Sequence, residues 1–196
     1  MTPRPTTAAA AEEQGLMSMH EEVTTFWFKE IEPKAWWRAD TEFDLLIGNR
    51  FGNLLQQAAK GELSSWRGSA AGRLAEIIVL DQFSRNVYRN TPLAFAQDPM
   101  ALVVSQEAVR AGALVGLQPI ECAFMLMPFM HTESKAIHVD ADRLFRQHAS
   151  KDNHDFELRH KAIVDRFGRY PHRNAILGRV STDEEIEFLK LPGSKF

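Results

Sequence analysis

Three polar segments could carry chemistry in a chain whose apolar residues otherwise recur with a helical period. The first, Asp81-Gln82-Phe83-Ser84-Arg85-Asn86, continues directly from an apolar run. Residues four apart lie on one face of a helix, so Asp81 can pair with Arg85. Asn86 shares a face with Gln82 in the same way. The segment predicts either a buried ion pair that stabilises the fold or a pocket carboxylate, Asp81, held by Arg85.

The second segment runs from Pro128 to Ser134 and contains His131 and Glu133. A spacing of two does not put side chains on one helix face, so the imidazole and the carboxylate converge only if the chain turns there. A histidine oriented by a carboxylate can act as a general base, and this pair is one prediction for such a site. The alternative is a helix start that Thr132 caps.

The third segment is a cationic turn that extends to Asn174, with His160 six residues before it. Its cationic and imidazole side chains are Arg166, Arg169, His172 and Arg173. Forked guanidinium donors suit a carboxylate or a phosphate, so the turn predicts an anion-binding site. The alternative is that these arginines neutralise internal carboxylates such as Asp81 and Glu133, which would make the three segments one structural network.

Three functional hypotheses follow from these segments. In the first, a helical protein binds an anionic peptide or a small acidic ligand; its ligand-binding residues are Arg85, Asn86, His160, Arg166, Arg169, Arg173 and Asn174, with His172 beside them. In the second, the protein is a hydrolase; its catalytic residues are His131 or His172 as general base and Glu133 or Asp81 to orient it. In the third, the polar residues only lock helices together.

Charge and aromatic residues argue against a nucleic-acid partner. The 23 basic and 26 acidic residues leave a formal net charge of −3, so no overall basic field attracts a phosphate backbone. Trp36, Trp37 and Trp66 are predicted to be packing residues rather than a base-stacking platform, because no run of Lys or Arg is interleaved with them.

Motifs for other chemistries are missing or incomplete. The sequence contains no glycine-rich phosphate loop, no nucleophile-elbow serine and no His-Glu-x-x-His. Glu157 and His160 have the spacing of a di-iron ligand pair, but no second copy exists. A zinc or iron site could use His131, Glu133, His160 and His172. Because their spacing does not require a metal, none is predicted and the cofactor stays unknown.

We expect a cytoplasmic protein, and the cysteine content fits a reducing cytoplasm as well as any other compartment. Cys122 is the single cysteine, so no intrachain disulfide can form. The longest apolar run, Cys122 to Met130, is about half the length that a bilayer crossing needs, so we predict a core segment and no membrane span. Residues 1–17 lack the apolar core of an export signal and are expected to form a flexible tail before a domain over 18–196. Formation of a homodimer is an alternative that the sequence leaves open.

The apolar spacing is helical nearly everywhere, and strand-like alternation is hard to find. We therefore expect an all-α single domain of about nine helices, which short turns join into stacked antiparallel hairpins. The run from Leu74 to Phe83 is apolar on most of its circumference, which predicts a central and buried helix.

Capping residues predict where several helices begin. Thr91-Pro92 and Asp98-Pro99 each have a capping residue before a proline, which is favoured at the first helical position. They predict the starts of a short helix and a long one. Thr182 and Glu185 form a capping box ahead of the last helix.

At the three polar segments the sequence resembles the bacterial proteins grouped as domain of unknown function 924, which are tetratricopeptide-repeat-like. The matching motifs include Phe26-Trp27-Phe28, Trp36-Trp37, Leu80-Asp81-Gln82-Phe83, Pro128-Phe129-Met130-His131, Arg166-Phe167-Gly168-Arg169 and Pro171-His172-Arg173-Asn174. The resemblance covers nearly the whole chain from Val23 to Phe196. It implies a tetratricopeptide-like stack with a concave groove for a peptide or protein partner, and it assigns no activity and no catalytic residue.

Overall fold

The computed structural model describes residues 19–194, and within this range every regular element is a helix. The tail predicted over residues 1–17 lies outside the described residues. The helices are α1 (19–30), α2 (Thr41–Ala59), α3 (70–87), α4 (Asp98–Arg110), α5 (Pro119–His131), α6 (Lys135–His148), α7 (Lys151–Phe167) and α8 (Asp183–Phe188). Short 3-10 segments lie at Pro33–Trp37, Ser64–Gly68, Pro92–Phe95 and Pro171–Arg173.

The predicted all-α single domain is confirmed, with eight helices in residues 19–194 where the sequence predicts about nine. The difference lies at Thr91-Pro92, where the chain forms only the 3-10 segment Pro92–Phe95 and the Thr91 side chain makes no capping hydrogen bond. The capping box before α8 is confirmed, because Thr182 Oγ1 accepts from Glu185 N–H and Glu185 Oε2 accepts from Thr182 N–H.

Helix α3 is the centre of the fold, as its all-round apolar pattern predicts. Its residues from Ile77 to Phe83 are all buried, and α2, α4 and α5 pack around it. The middle of α3, Ile78–Phe83, is a π-helical segment between two α-helical ones. Such segments are rare and are found often at functional sites, because the extra residue per turn redirects the side chains.

The remaining helices form a stack in sequence order. Helix α4 packs on α5, α5 on α6 and α6 on α7, and only three residues separate α5 from α6. Connections this short reverse the chain between neighbours, so α5 and α7 run in the same direction and also contact each other. This arrangement places the C-terminal end of α5 next to the middle of α7.

The apolar core contains a dense group of aromatic rings between α1, α2, α3 and α5. The rings of Phe51 and Phe83 stack with centroids 4.9 Å apart, and Trp27 meets Phe124 edge-to-face at 5.6 Å. Trp66 is also buried, as predicted. Trp37 also packs, with one face on Phe124, but it remains 57% exposed.

A smaller core holds the C-terminal part of the domain to α7. Ile163, Val164 and Tyr170 are buried there, with Phe167 and Phe188 packed against them. Gly168, with a φ of 70°, ends α7 in the left-handed conformation that lets the chain turn back toward α5. None of the helices in residues 19–194 combines the length and the apolar character that crossing a bilayer requires.

Candidate functional site

Asp81 and His131 come together where the π-helical segment of α3 meets the last residue of α5. Asp81 Oδ1 lies 2.7 Å from His131 Nδ1. The carboxylate is 1% exposed and has two further partners, because Gln82 Nε2 donates to Oδ2 at 2.6 Å and Arg85 Nη1 lies 2.9 Å from Oδ1. The Asp81–Arg85 pair predicted from a spacing of four is therefore confirmed. Three donors hold Asp81 in one orientation.

The bond to Asp81 determines which nitrogen of His131 carries the proton. An ionised carboxylate only accepts, so Nδ1–H is the donor and Nε2 keeps its lone pair. No residue in the described part of the chain hydrogen-bonds to Nε2. The side chain is 15% exposed, so it is not sealed inside the core.

Both groups have shifted pKa values that favour a neutral imidazole beside an ionised carboxylate. Burial alone raises the pKa of Asp81, but the positive charge of Arg85 and the contact with His131 reverse this and hold it below its ordinary value. Burial lowers the pKa of His131, and the charge of Arg85 lowers it further, against the opposing effect of Asp81. At neutral pH His131 is therefore an uncharged base.

A second carboxylate, Asp98, joins two arginines beside this pair. Arg85 binds Asp98 through both terminal nitrogens, at 2.9 and 3.1 Å, and Arg173 Nη1 donates to Asp98 Oδ2 at 3.2 Å. The prediction that Asp98 caps α4 is wrong. Gln97 occupies the N-cap position, and Asp98 is the first helical residue, where its carboxylate binds the two guanidinium groups.

The guanidinium of Arg173 contacts two aromatic rings and has one buried donor without a partner among the described residues. Its central carbon is 4.6 Å from the ring centroids of both Phe95 and Tyr170. Nε is buried and has no hydrogen-bond partner in residues 19–194. Burial and the charge of Arg85 lower the pKa of Arg173. A buried cation with an unsatisfied N–H is a group that an anionic ligand would stabilise.

Two further histidines lie close to His131. The ring centroids of His131 and His160 are 6.4 Å apart, and Tyr170 lies 5.8 Å from His160 and 5.6 Å from His172. Burial lowers the pKa of His160 well below its ordinary value. Burial, and then the charge of Arg173, lower the pKa of His172 to about 4. His160 and His172 are therefore both neutral at neutral pH.

Glu133 lies near these residues, and its hydrogen bonds go to other partners. Arg179 binds its carboxylate through two donors at 2.6 and 2.9 Å, and Tyr170 N–H donates to it at 2.8 Å. Burial alone raises the pKa of Glu133, but these donors and the charge of Arg179 lower it overall. Glu133 thus anchors the middle of the cationic turn at Tyr170, whereas Asp81 is the carboxylate bonded to His131.

The outer part of the cationic turn binds α8. Arg169 forms a forked pair with Glu185 at 2.6 and 2.7 Å, and Arg166 Nε donates to Glu184 at 2.9 Å. Asn174 Nδ2 donates to Ser181 Oγ at 3.0 Å and to Glu185 Oε2 at 3.3 Å. These three predicted ligand-binding residues, Arg166, Arg169 and Asn174, have protein partners at the end of the domain formed by α7 and α8.

Asn86 is also bonded to a residue outside the candidate site, since its Nδ2 donates to Asp44 on α2 at 2.8 Å. The structure therefore brings together Asp81, Arg85, His131, His160, His172 and Arg173 from the predicted set. It adds Gln82 and Asp98, which belong to sequence motifs but were not predicted as site residues. Within residues 19–194, no group of three or more His, Cys, Asp or Glu side chains is arranged to hold a metal ion.

These features define a class: an all-α domain with an oriented Asp–His pair and two arginines between its central helix and the end of α5. Residues 23–193 match the family described as "Bacterial protein of unknown function (DUF924)", and the chain belongs to that family. A protein of unknown function from Agrobacterium tumefaciens has a similar solved structure, with a TM-score of 0.84 and 35% identity over 88% of this chain and 97% of that one. No curated protein matches the chain.

Proposed function

We propose that this protein is a hydrolase that acts on a small acidic substrate, with His131 as the general base. The observation that carries the proposal is the 2.7 Å bond from His131 Nδ1 to buried Asp81, which leaves Nε2 unprotonated on a partly exposed ring. Nucleophile activation by a base that a third group orients is the common arrangement of hydrolytic sites.

The chemistry follows from the proton positions. Nε2 of His131 takes a proton from water as the oxygen bonds to the carbonyl carbon of the substrate. The bond from that carbon to the leaving nitrogen or oxygen then breaks, and the leaving group takes the proton from the imidazolium. Ionised Asp81 stabilises the transient imidazolium, and Arg85 supplies positive charge next to the developing oxyanion.

A second buried pair in the same protein shows what a purely structural histidine looks like. His138 and Glu157 are both 0% exposed, with Nδ1 of His138 2.7 Å from Glu157 Oε1. Its other nitrogen, Nε2, lies 3.0 Å from the carbonyl oxygen of Thr132 and 3.2 Å from the hydroxyl of Tyr170. His131 differs in both respects, since it is partly exposed and only one of its nitrogens is bonded to a described residue.

The arginines favour a substrate with a carboxylate or a comparable anionic group. Arg85 and Arg173 share one carboxylate, Asp98, and Arg173 keeps a buried N–H without a partner among the described residues. Forked guanidinium donors bind carboxylates well when water is partly excluded. We therefore combine the anion-binding hypothesis with the hydrolase hypothesis. In this combination, Arg85 and Arg173 bind the anionic group of the substrate.

The proposal is tested by ester hydrolysis with 4-acetoxybenzoate, which carries a carboxylate, and neutral phenyl acetate. We expect the wild-type protein to hydrolyse 4-acetoxybenzoate faster than buffer does, and His131→Gln to lower the enzymatic rate constant about 100-fold or more. The matched control is His154→Gln, because His154 is also 2.7 Å from a carboxylate, that of Asp142, on another face of α7. Wild-type rates in His131→Gln, with both variants folded by circular dichroism, would contradict the proposal.

A further inference from the structure

We infer that the substrate is an N-acyl amino acid whose acyl group ends in an aromatic ring, and that this ring binds on Trp37 and Phe156. We call the surface formed by these two side chains the aromatic shelf. The inference rests on the proposed function, because it assigns a place to the part of the substrate that lies beyond the bond attacked at His131.

Trp37 is an exposed aromatic ring that packs against other rings at the surface. Its indole lies nearly parallel to the ring of buried Phe124, with an interplanar angle of 13° and a centroid distance of 6.0 Å. Trp36 meets it edge-on at 6.2 Å. With 57% of the residue exposed, one indole face is supported from inside while the other side is open to a ligand.

Phe156 extends this surface toward the candidate site. Its ring centroid is 6.5 Å from that of Trp37 and 5.4 Å from that of His160, and 38% of the residue is exposed. An exposed tryptophan and an exposed phenylalanine that touch form an apolar patch, and such a patch next to a polar site is the usual setting for the apolar part of a ligand.

The helices place the shelf in line with the Asp81–His131 pair. Phe124, under Trp37, precedes His131 by seven residues on α5, which is two turns or about 10 Å along the axis. On α7, Phe156 precedes His160 by one turn. Because α5 and α7 run in the same direction and contact each other, both helices lead from the shelf to the histidines.

Arg173 lies at the end of the same series of contacts that leads from the shelf through His160. Tyr170 contacts both the ring of His160, with centroids 5.8 Å apart, and the guanidinium of Arg173, at 4.6 Å. The order of contacts from Arg173 to the shelf is therefore a cation, then Tyr170 and the imidazole of His160, then the exposed rings. An acyl amino acid has the same order of groups: a carboxylate, an amide bond and an acyl chain.

Ligand binding measured on a catalytically inactive variant tests the aromatic shelf independently of the hydrolysis reaction. Calorimetric titration of the His131→Gln protein would compare N-(3-phenylpropanoyl)glycine with N-acetylglycine, which share the carboxylate and the amide. We expect the aromatic ligand to bind about tenfold more tightly, the scale of one stacked ring with its buried area. Adding Trp37→Ala removes this difference, whereas Trp37→Phe keeps most of it.

The matched control for the shelf is Leu93→Ala, because Leu93 is 54% exposed and lies in a different 3-10 segment. This variant should keep the full preference for the aromatic ligand. Equal affinities for the two ligands, or an equal loss for both on Trp37→Ala, would overturn the inference. If the preference is found and wild-type protein hydrolyses neither these compounds nor 4-acetoxybenzoate, the shelf stands and the proposed hydrolase function fails. Hydrolysis without the preference would instead support the hydrolase function and reject the shelf.

Discussion

Arg173 faces Arg85 across a single shared carboxylate, that of Asp98. The two cations come from residues 88 positions apart in the chain, on α3 and on the 3-10 segment after α7. Their mutual repulsion contributes to the lowered pKa of Arg173, and Asp98 opposes it. Asp98 therefore connects the two halves of the candidate site and, together with Asp81, balances the charge of the two arginines.

Removing Asp98 should destabilise the fold strongly. Asp98→Ala leaves two partly buried guanidinium groups without their common partner, so we expect the free energy of unfolding to fall by about 3 kcal/mol. Urea denaturation measures this. Asp140→Ala is the control, because Asp140 pairs with Arg143 where both side chains are 54% exposed, and its midpoint should stay near the wild-type value. Equal effects of the two substitutions would contradict the role given to Asp98.

Arg85 should control the acidic limb of the pH–rate profile. The base works when neutral, so the rate of 4-acetoxybenzoate hydrolysis rises with pH through the pKa of His131, which lies below its ordinary value of 6.5, and is flat above it. Arg85→Gln removes a charge that lowers this pKa, so the limb moves to higher pH. Arg50→Gln, which removes a cation bound to Glu22 and Glu30, should not move it. A shift of the limb to lower pH in Arg85→Gln would contradict the role given to Arg85.

Glu185 should stabilise the domain only above strongly acidic pH. The bond to Arg169 lowers its pKa from 4.5 to about 2 in the folded protein. A carboxyl with a lowered folded pKa adds stability that is fully present above 4.5 and is lost as the pH falls toward 2. The difference in melting temperature between wild type and Glu185→Gln should therefore be largest near pH 6 and shrink between pH 4.5 and 2.

The control for that series is Glu184→Gln, because Glu184 pairs with Arg166 in an exposed position. Its melting temperature should stay close to the wild-type value throughout. A difference between wild type and Glu185→Gln that stays constant from pH 6 to pH 2 would show that the carboxylate charge is not what stabilises this end of the domain.

Local spacing predicts the parts of the site that lie on one helix. The pairing of Asp81 with Arg85 follows from a separation of four residues, and the structure shows it at 2.9 Å. The burial of α3 is predicted in the same way, because apolar residues occupy most of the circumference of this helix. The π-helical turn that contains Asp81 leaves no signal of this kind, because it depends on how α3 packs against its neighbours.

For segments that are distant in the chain, the sequence predicts that they meet but not which residues form each contact. Spacing indicates that polar segments meet, but it does not show that His131 bonds to Asp81, 50 residues away, rather than to nearby Glu133. The wrong prediction for Asp98 has a related cause. An aspartate before a proline has the pattern of a helix cap, and only the fold shows that two arginines reach it.

Nitrogen-15 NMR of the His131 ring at pH 7 tests the central claim most directly. The ring signals can be assigned by their loss in His131→Gln, among the seven histidines of the chain. We expect a neutral ring with its proton on Nδ1 and an unprotonated Nε2 ready to accept one. A proton on Nε2, or a fully protonated imidazolium at pH 7, would contradict the assignment of His131 as the general base.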